Sequence, residues 1–155
     1  MVDDRTIEAM SEALEDEYKA RAIYAGIIDR FGPVRPFVNI VEAEDRHARA
    51  LIALFRSMGV TPPRDDWPGK VEIPQSIEQA CAEGVAAEIE NQDMYERLLD
   101  MTDVPEVRAV FKRLQAASRD RHLPAFRRCL EREKRGDEGG GAQGSGHQRR
   151  HRGRR

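Results

Sequence analysis

Aromatic residues are scarce in this chain, at 6%, and there are only two cysteines, Cys81 and Cys129. Few aromatics argue against a β-sandwich. Two cysteines are too few for a disulfide framework and too far apart in sequence for a zinc motif. They could meet across the third and fourth helical segments, but two small buried residues in a reducing cytoplasm are expected rather than a disulfide. No apolar run reaches the ~18 residues of a membrane span. The start, MVDDRTIEAM, lacks the basic end and apolar stretch of a secretory leader, which again points to a cytoplasmic location. What is plentiful is charge, at 35% of residues, the balance of a helical bundle with a solvated outer face. The net charge of −2 hides a split, because residues 139–155 carry five arginines and no acid. The body is acidic and the tail basic.

Four helical patterns follow one another, and their apolar residues recur at helical spacing. The first spans about Thr6–Phe31 and stops at Gly32-Pro33. The second spans about Pro36–Met58 and ends at Gly59. Residues 60–75 hold four prolines and no helical period, so they form a connector. Ser76 and Gln79 form a capping box that opens the third pattern, to about Met101. The fourth begins near Pro105 and contains Pro124, which is expected to kink it. From Gly136 the sequence is Gly/Arg-rich and of low complexity. We therefore expect a bundle over residues 1–135 and a disordered basic tail over 136–155. The links between helices one and two and between three and four are short, so each pair makes an antiparallel hairpin. The long middle link would reach ~50 Å when extended, against ~35 Å for a helix of this length, enough to return along the bundle. The expected fold is all-α, an up-down-down-up four-helix bundle with one long crossover between helices two and three.

Polar residues interrupt the apolar stripes at matching heights. Glu17 stands between Leu14 and Tyr24, Glu44 and His47 between Val41 and Leu51, Glu88 between Val85 and Tyr95, and His122 between Leu114 and Phe126. Three carboxylates buried in one layer would each cost several kcal/mol if left unpaired. A cation removes that cost, and carboxylate with imidazole is a donor set for iron, manganese or zinc. The two halves also repeat each other. Glu12, Glu17 and Tyr24 match Glu83, Glu88 and Tyr95 at identical spacing, and Asp45-Arg46-His47 matches Asp120-Arg121-His122. Tyr24 and Tyr95 are read as core tyrosines or as support for the carboxylates. Trp67 is expected to staple the connector, and Arg21 to pair with a carboxylate.

The series Glu17, Glu44-x-x-His47, Glu88, His122 resembles the ferritin, rubrerythrin and bacterioferritin superfamily, in which two helices each give a Glu and two each give Glu-x-x-His. The stretches DEYKARAIY, FGPVRPFVNIVEAEDRH and LQAASRDRHLPAF are similar to a bacterial and archaeal ferritin-like family of unknown function. The resemblance implies a metal site at Glu17, Glu44, His47, Glu88 and His122, holding iron as one ion or a di-iron pair, with manganese or zinc as alternatives. It brings no established substrate; the first functional expectation is a metal-dependent oxidoreductase, as ferroxidase or peroxide scavenger, with O2 or peroxide as partner. One position departs from the pattern: Arg119 stands where a Glu would precede His122 by three. Either Asp120 substitutes, or Arg119 neutralises a carboxylate and leaves a single-metal site; Ser118 also faces the stripe. The contrasting function is a structural binding module, with or without metal, whose Arg-rich tail (139–155) contacts nucleic acid. In the metal-free form, Arg21 and Arg119 would neutralise the glutamates. A homodimer is one assembly the sequence allows, and a membrane is not an expected partner.

Overall fold

The first helix begins where its capping residue allows. Asp3 lies in extended backbone, and its carboxylate accepts a 2.7 Å hydrogen bond from the Thr6 N–H, satisfying one of the amides a helix start leaves open. The computed structural model describes residues 2–140. α1 runs Asp4–Phe31 and stops at Gly32, whose φ of 88° disfavours any residue with a Cβ. α2 runs Phe37–Ser57 and α3 runs Ile77–Leu99. Ser76 caps α3 by accepting from the Gln79 N–H at 3.0 Å, while the Gln79 side chain accepts from the Gln75 N–H at 3.1 Å. The fourth helix of the bundle comes in three parts. These are α4 (Pro105–Ala117), a π-helical turn (Ser118–His122) and α5 (Leu123–Gly140). Among the described residues there is no strand.

The π-turn is the expected distortion near Pro124. Proline has no N–H to give the carbonyl four residues earlier, at Asp120. The ladder widens just ahead of it, and the Leu123 N–H bonds to the Ser118 carbonyl, five residues back.

α1 packs against α2, and α3 against α4 and α5, giving two hairpins joined by the crossover of residues 58–76. The result is the expected all-α up-down-down-up bundle. The crossover is pinned as Trp67 suggested. Its indole N–H donates to Glu15 at 2.7 Å, and the Lys19 ammonium lies 5.6 Å from the ring centre. Arg21 completes the fastening by bridging Asp45 at 2.7 Å and Asp65 at 2.9 Å. It faces the crossover, so it does not neutralise the glutamates of the layer.

Two apolar clusters fill the interior. One is built on Met10, Leu14, Leu51, Phe55, Tyr95 and Phe111. The other is built on Tyr24, Ile27, Phe37, Ile40 and Phe126. The buried polar residues Glu17, Glu44, Glu88, Ser118 and His122 complete the interior.

Cys81 and Cys129 depart from expectation, because they are joined as a disulfide between α3 and α5, with Cα atoms 5.8 Å apart. The helices approach closely there because Gly84 has no side chain. A Cβ at Gly84 would stand 2.6 Å from the Phe126 ring. α5 continues to Gly140, beyond the boundary expected at residue 135. Residues 141–155 of the basic tail, and its expected disorder and nucleic-acid contacts, lie outside the described residues.

Candidate metal centre

Each bundle helix delivers its polar residues to one point, for the reason its stripe suggests: they occupy core-facing turns between apolar neighbours. Glu17 comes from α1, Glu44 and His47 from α2, Glu88 from α3 and His122 from the π-turn. The three glutamates are at most 3% exposed, so little water reaches them. Their side-chain oxygens and the histidine nitrogens form two overlapping groups, Glu17–Glu44–His47 and Glu44–Glu88–His122. Within each group the nearest donor atoms lie within 4.8 Å of one another.

Glu44 belongs to both groups and divides its oxygens between them. Oε2 lies 3.6 Å from Nδ1 of His47, and Oε1 lies 3.3 Å from Nδ1 of His122. Oε2 of Glu17 lies 3.5 Å from Nδ1 of His47, and Oε1 of Glu88 lies 3.4 Å from Nδ1 of His122. The two imidazoles stack with centres 5.5 Å apart and planes 20° from parallel. The pseudo-twofold relation legible in the sequence thus reappears as two half-sites sharing one carboxylate.

Hydroxyl groups aim the outer carboxylates. Tyr95 donates to Oε1 of Glu17 at 2.6 Å, which leaves Oε2 facing His47. Ser118 donates to Oε2 of Glu88 at 2.5 Å, and Tyr24 donates to Oε1 at 3.3 Å. Burial pushes both phenols well above their ordinary range, so they remain donors. Arg119 takes no part. It is exposed and paired with its exposed neighbour Asp120 at 2.9 Å, so it neutralises no buried carboxylate and Asp120 does not substitute as a donor.

Without a cation, protons compensate the charge. Burial, reinforced by the adjacent Glu44, pushes the Glu17 carboxyl up to about 8. Burial acts the same way on Glu44, but its hydrogen bonds with Glu17, His122 and His47 outweigh it and hold that carboxylate low. Burial would lower the histidines, yet Glu17 and Glu44 raise His47 to about 9, and Glu44 and Glu88 raise His122 to about 10. The layer therefore holds a protonated Glu17 and two imidazolium ions at neutral pH. The donor set fits divalent metal because each of those protons occupies a lone pair that a cation would take.

Two openings reach the layer. A cavity of about 160 Å³ between α1 and α3 touches Glu44, Glu88 and Tyr24, and its walls include Ala20, Ile23 and Ile27. Asp16 lines it, with Oδ2 accepting from Asn91 at 2.8 Å, and burial raises Asp16 to about 6. Sequence reading missed this pair, for Asp16 and Asn91 look like ordinary solvated positions beside stripe residues. A second opening, between α2 and the α4–π-turn segment, exposes an edge of His47 and His122.

A four-helix bundle with one long crossover, here with a carboxylate–histidine layer drawn from every helix, is the ferritin-like fold. Solved structures agree on that fold. A hypothetical protein, MJ0754 from Methanococcus jannaschii, superposes with a TM-score of 0.77 at 22% identity, over 86% of this chain and 84% of its own. The Mycobacterium tuberculosis bacterioferritin BfrA gives 0.73 at 19% identity, over 92% and 95%. The hypothetical protein rv2844 from the same organism gives 0.68 at 15% identity, over 82% and 91%. No protein-family model and no curated protein matches the sequence.

Proposed function

We propose that this chain binds two divalent metal ions, iron or manganese, and works on dioxygen or peroxide. Glu17 with His47 would hold one ion, Glu88 with His122 would hold the other, and Glu44 would serve both. The observation that carries the reading is the division of Glu44, with one oxygen beside each histidine. A carboxylate that only neutralised one neighbouring histidine would have no reason to face both. Bound iron would supply the redox change. The chain's own residues supply the rest. Tyr95 and Ser118 orient Glu17 and Glu88, and the burial of all three glutamates limits their contact with water. The cavity between α1 and α3 gives a small oxidant access to Glu44 and Glu88. Five protein donors, one fewer than the superfamily pattern, leave room for a ligand that the protein does not provide.

The test is metal content by mass spectrometry on protein purified without a histidine tag, beside Glu44→Ala. The expected result is about two equivalents of metal in the wild type and loss of both ions in the variant, as a shared ligand requires. Absence of metal from the wild type after anaerobic Fe(II) loading would refute the proposal. So would retention of both ions by the variant.

A further inference from the structure

A groove runs between α2 and the α4–π-turn segment. Where leucines would close such a seam, Ala43, Ala50, Ala116, Ala117 and Ala125 leave it open, with a volume of about 660 Å³. His47 and His122 line its inner side. Arg46, Arg113 and Arg121 line it as well, all three exposed and without an ion pair among the described residues. The acid of the groove, Asp120, is already engaged by Arg119. Asp120 also feels the charge of Arg121 but makes no ion pair with it, so the walls present three guanidinium groups without an ion-pair partner among the described residues. Such groups are built for planar, bidentate contact with carboxylate or phosphate.

We infer that this groove is a binding site for a small anion carrying carboxylate or phosphate groups, held by Arg46, Arg113 and Arg121 against the histidine side of the layer. The volume lies within the usual range of small-molecule pockets and suits a molecule of small-metabolite size. Charge accounting points the same way where two ions are held as proposed above. Three carboxylates against two divalent cations leave one positive charge over, and an anion in the groove would lie beside it.

The test uses the full chain freed of metal by chelator, so that it does not depend on the metal reading. Inorganic phosphate is titrated in at low ionic strength while amide and imidazole resonances are followed by NMR. Saturable shifts are expected at Ala43, Ala50 and Ala117 and at the rings of His47 and His122. The double variant Arg46→Gln/Arg121→Gln is expected to weaken phosphate binding at least tenfold and to keep the wild-type metal stoichiometry. Arg127→Gln/Arg128→Gln, exposed positions outside the groove, is expected to change nothing. Equal affinity in the groove variant and the wild type would overturn the assignment. It would also fall if binding vanished only on removal of residues 141–155, or if a DNA duplex bound the groove and phosphate did not. Failure of the metal proposal would appear separately, as lost stoichiometry with phosphate binding intact.

Discussion

Loading the proposed metal site should expel protons, and the groups that hold them set the expected number. Glu17 at about 8, His47 at about 9 and His122 at about 10 are all protonated at pH 7, and each sits on an atom that a metal would use. Filling both half-sites at pH 7 should therefore release about three protons per chain. The overall formation constant should then fall about a thousandfold for each pH unit between 7 and 6. Calorimetry with redox-inert Zn(II), in buffers of different ionisation heat, measures the number directly, and Glu44→Ala corrects for ions bound elsewhere. The same groups act on stability without metal. All three bind protons more tightly in the folded chain, so their contribution is complete below their unfolded values, about 4.5 for the acid and 6.5 for the histidines. It is lost as pH rises through 8 to 10. The metal-free protein should melt at progressively lower temperature from pH 7 to 10, and the loaded protein should resist that decline. Release of fewer than one proton at pH 7 would refute this account, because the histidine nitrogens facing the glutamates would then already be free of protons.

Three further outcomes follow from particular contacts. Tyr95→Phe removes the 2.6 Å bond to Glu17 at a fully buried site; it should cost about 1–3 kcal/mol in urea denaturation and weaken the first half-site more than the second. Gly84→Ala forces a Cβ to within 2.6 Å of the Phe126 ring; a loss of about 1–3 kcal/mol is expected, and an unchanged urea midpoint would contradict the packing described here. The Cys81–Cys129 bond closes a loop with a separation of 48 residues, so chain entropy alone gives it about 4 kcal/mol. Dithiothreitol should lower the urea midpoint of the wild type and leave Cys81→Ser/Cys129→Ser unaffected.

Much of the site could be read from the sequence because burying a carboxylate is costly. Glu17, Glu44 and Glu88 stand where the stripe calls for apolar residues, and only a compensated layer tolerates that. Spacing alone was enough to place these residues at one height. The meeting of Cys81 and Cys129 across the helices was legible, but the disulfide ranked below two free thiols because spacing carries no distance. Its signal was Gly84, three residues after Cys81, whose missing side chain lets α5 approach α3. Asp16 and Asn91 escaped because their pairing crosses from α1 to α3, and a single stripe says nothing about the face next to it.

The unusual residue at position 119 has a structural explanation that a regular α-helix would hide. In an α-helix, residues three and four before His122 both share its face, so Arg119 looks like a lost ligand. The π-turn adds a residue to that turn of the ladder, and the face is shared with the residue four before. Ser118 is accordingly buried with its hydroxyl on Glu88, while Arg119 stands in solvent with Asp120. A glutamate at 119 would point away from the layer, so Arg119→Glu should leave metal stoichiometry and affinity unchanged. Ser118→Glu would instead direct a carboxylate towards Glu88 and raise affinity for the second ion, provided the π-turn persists. If Arg119→Glu tightened binding as well, the turn would have reverted to α-helix on loading. The missing sixth donor would then be a matter of sequence alone.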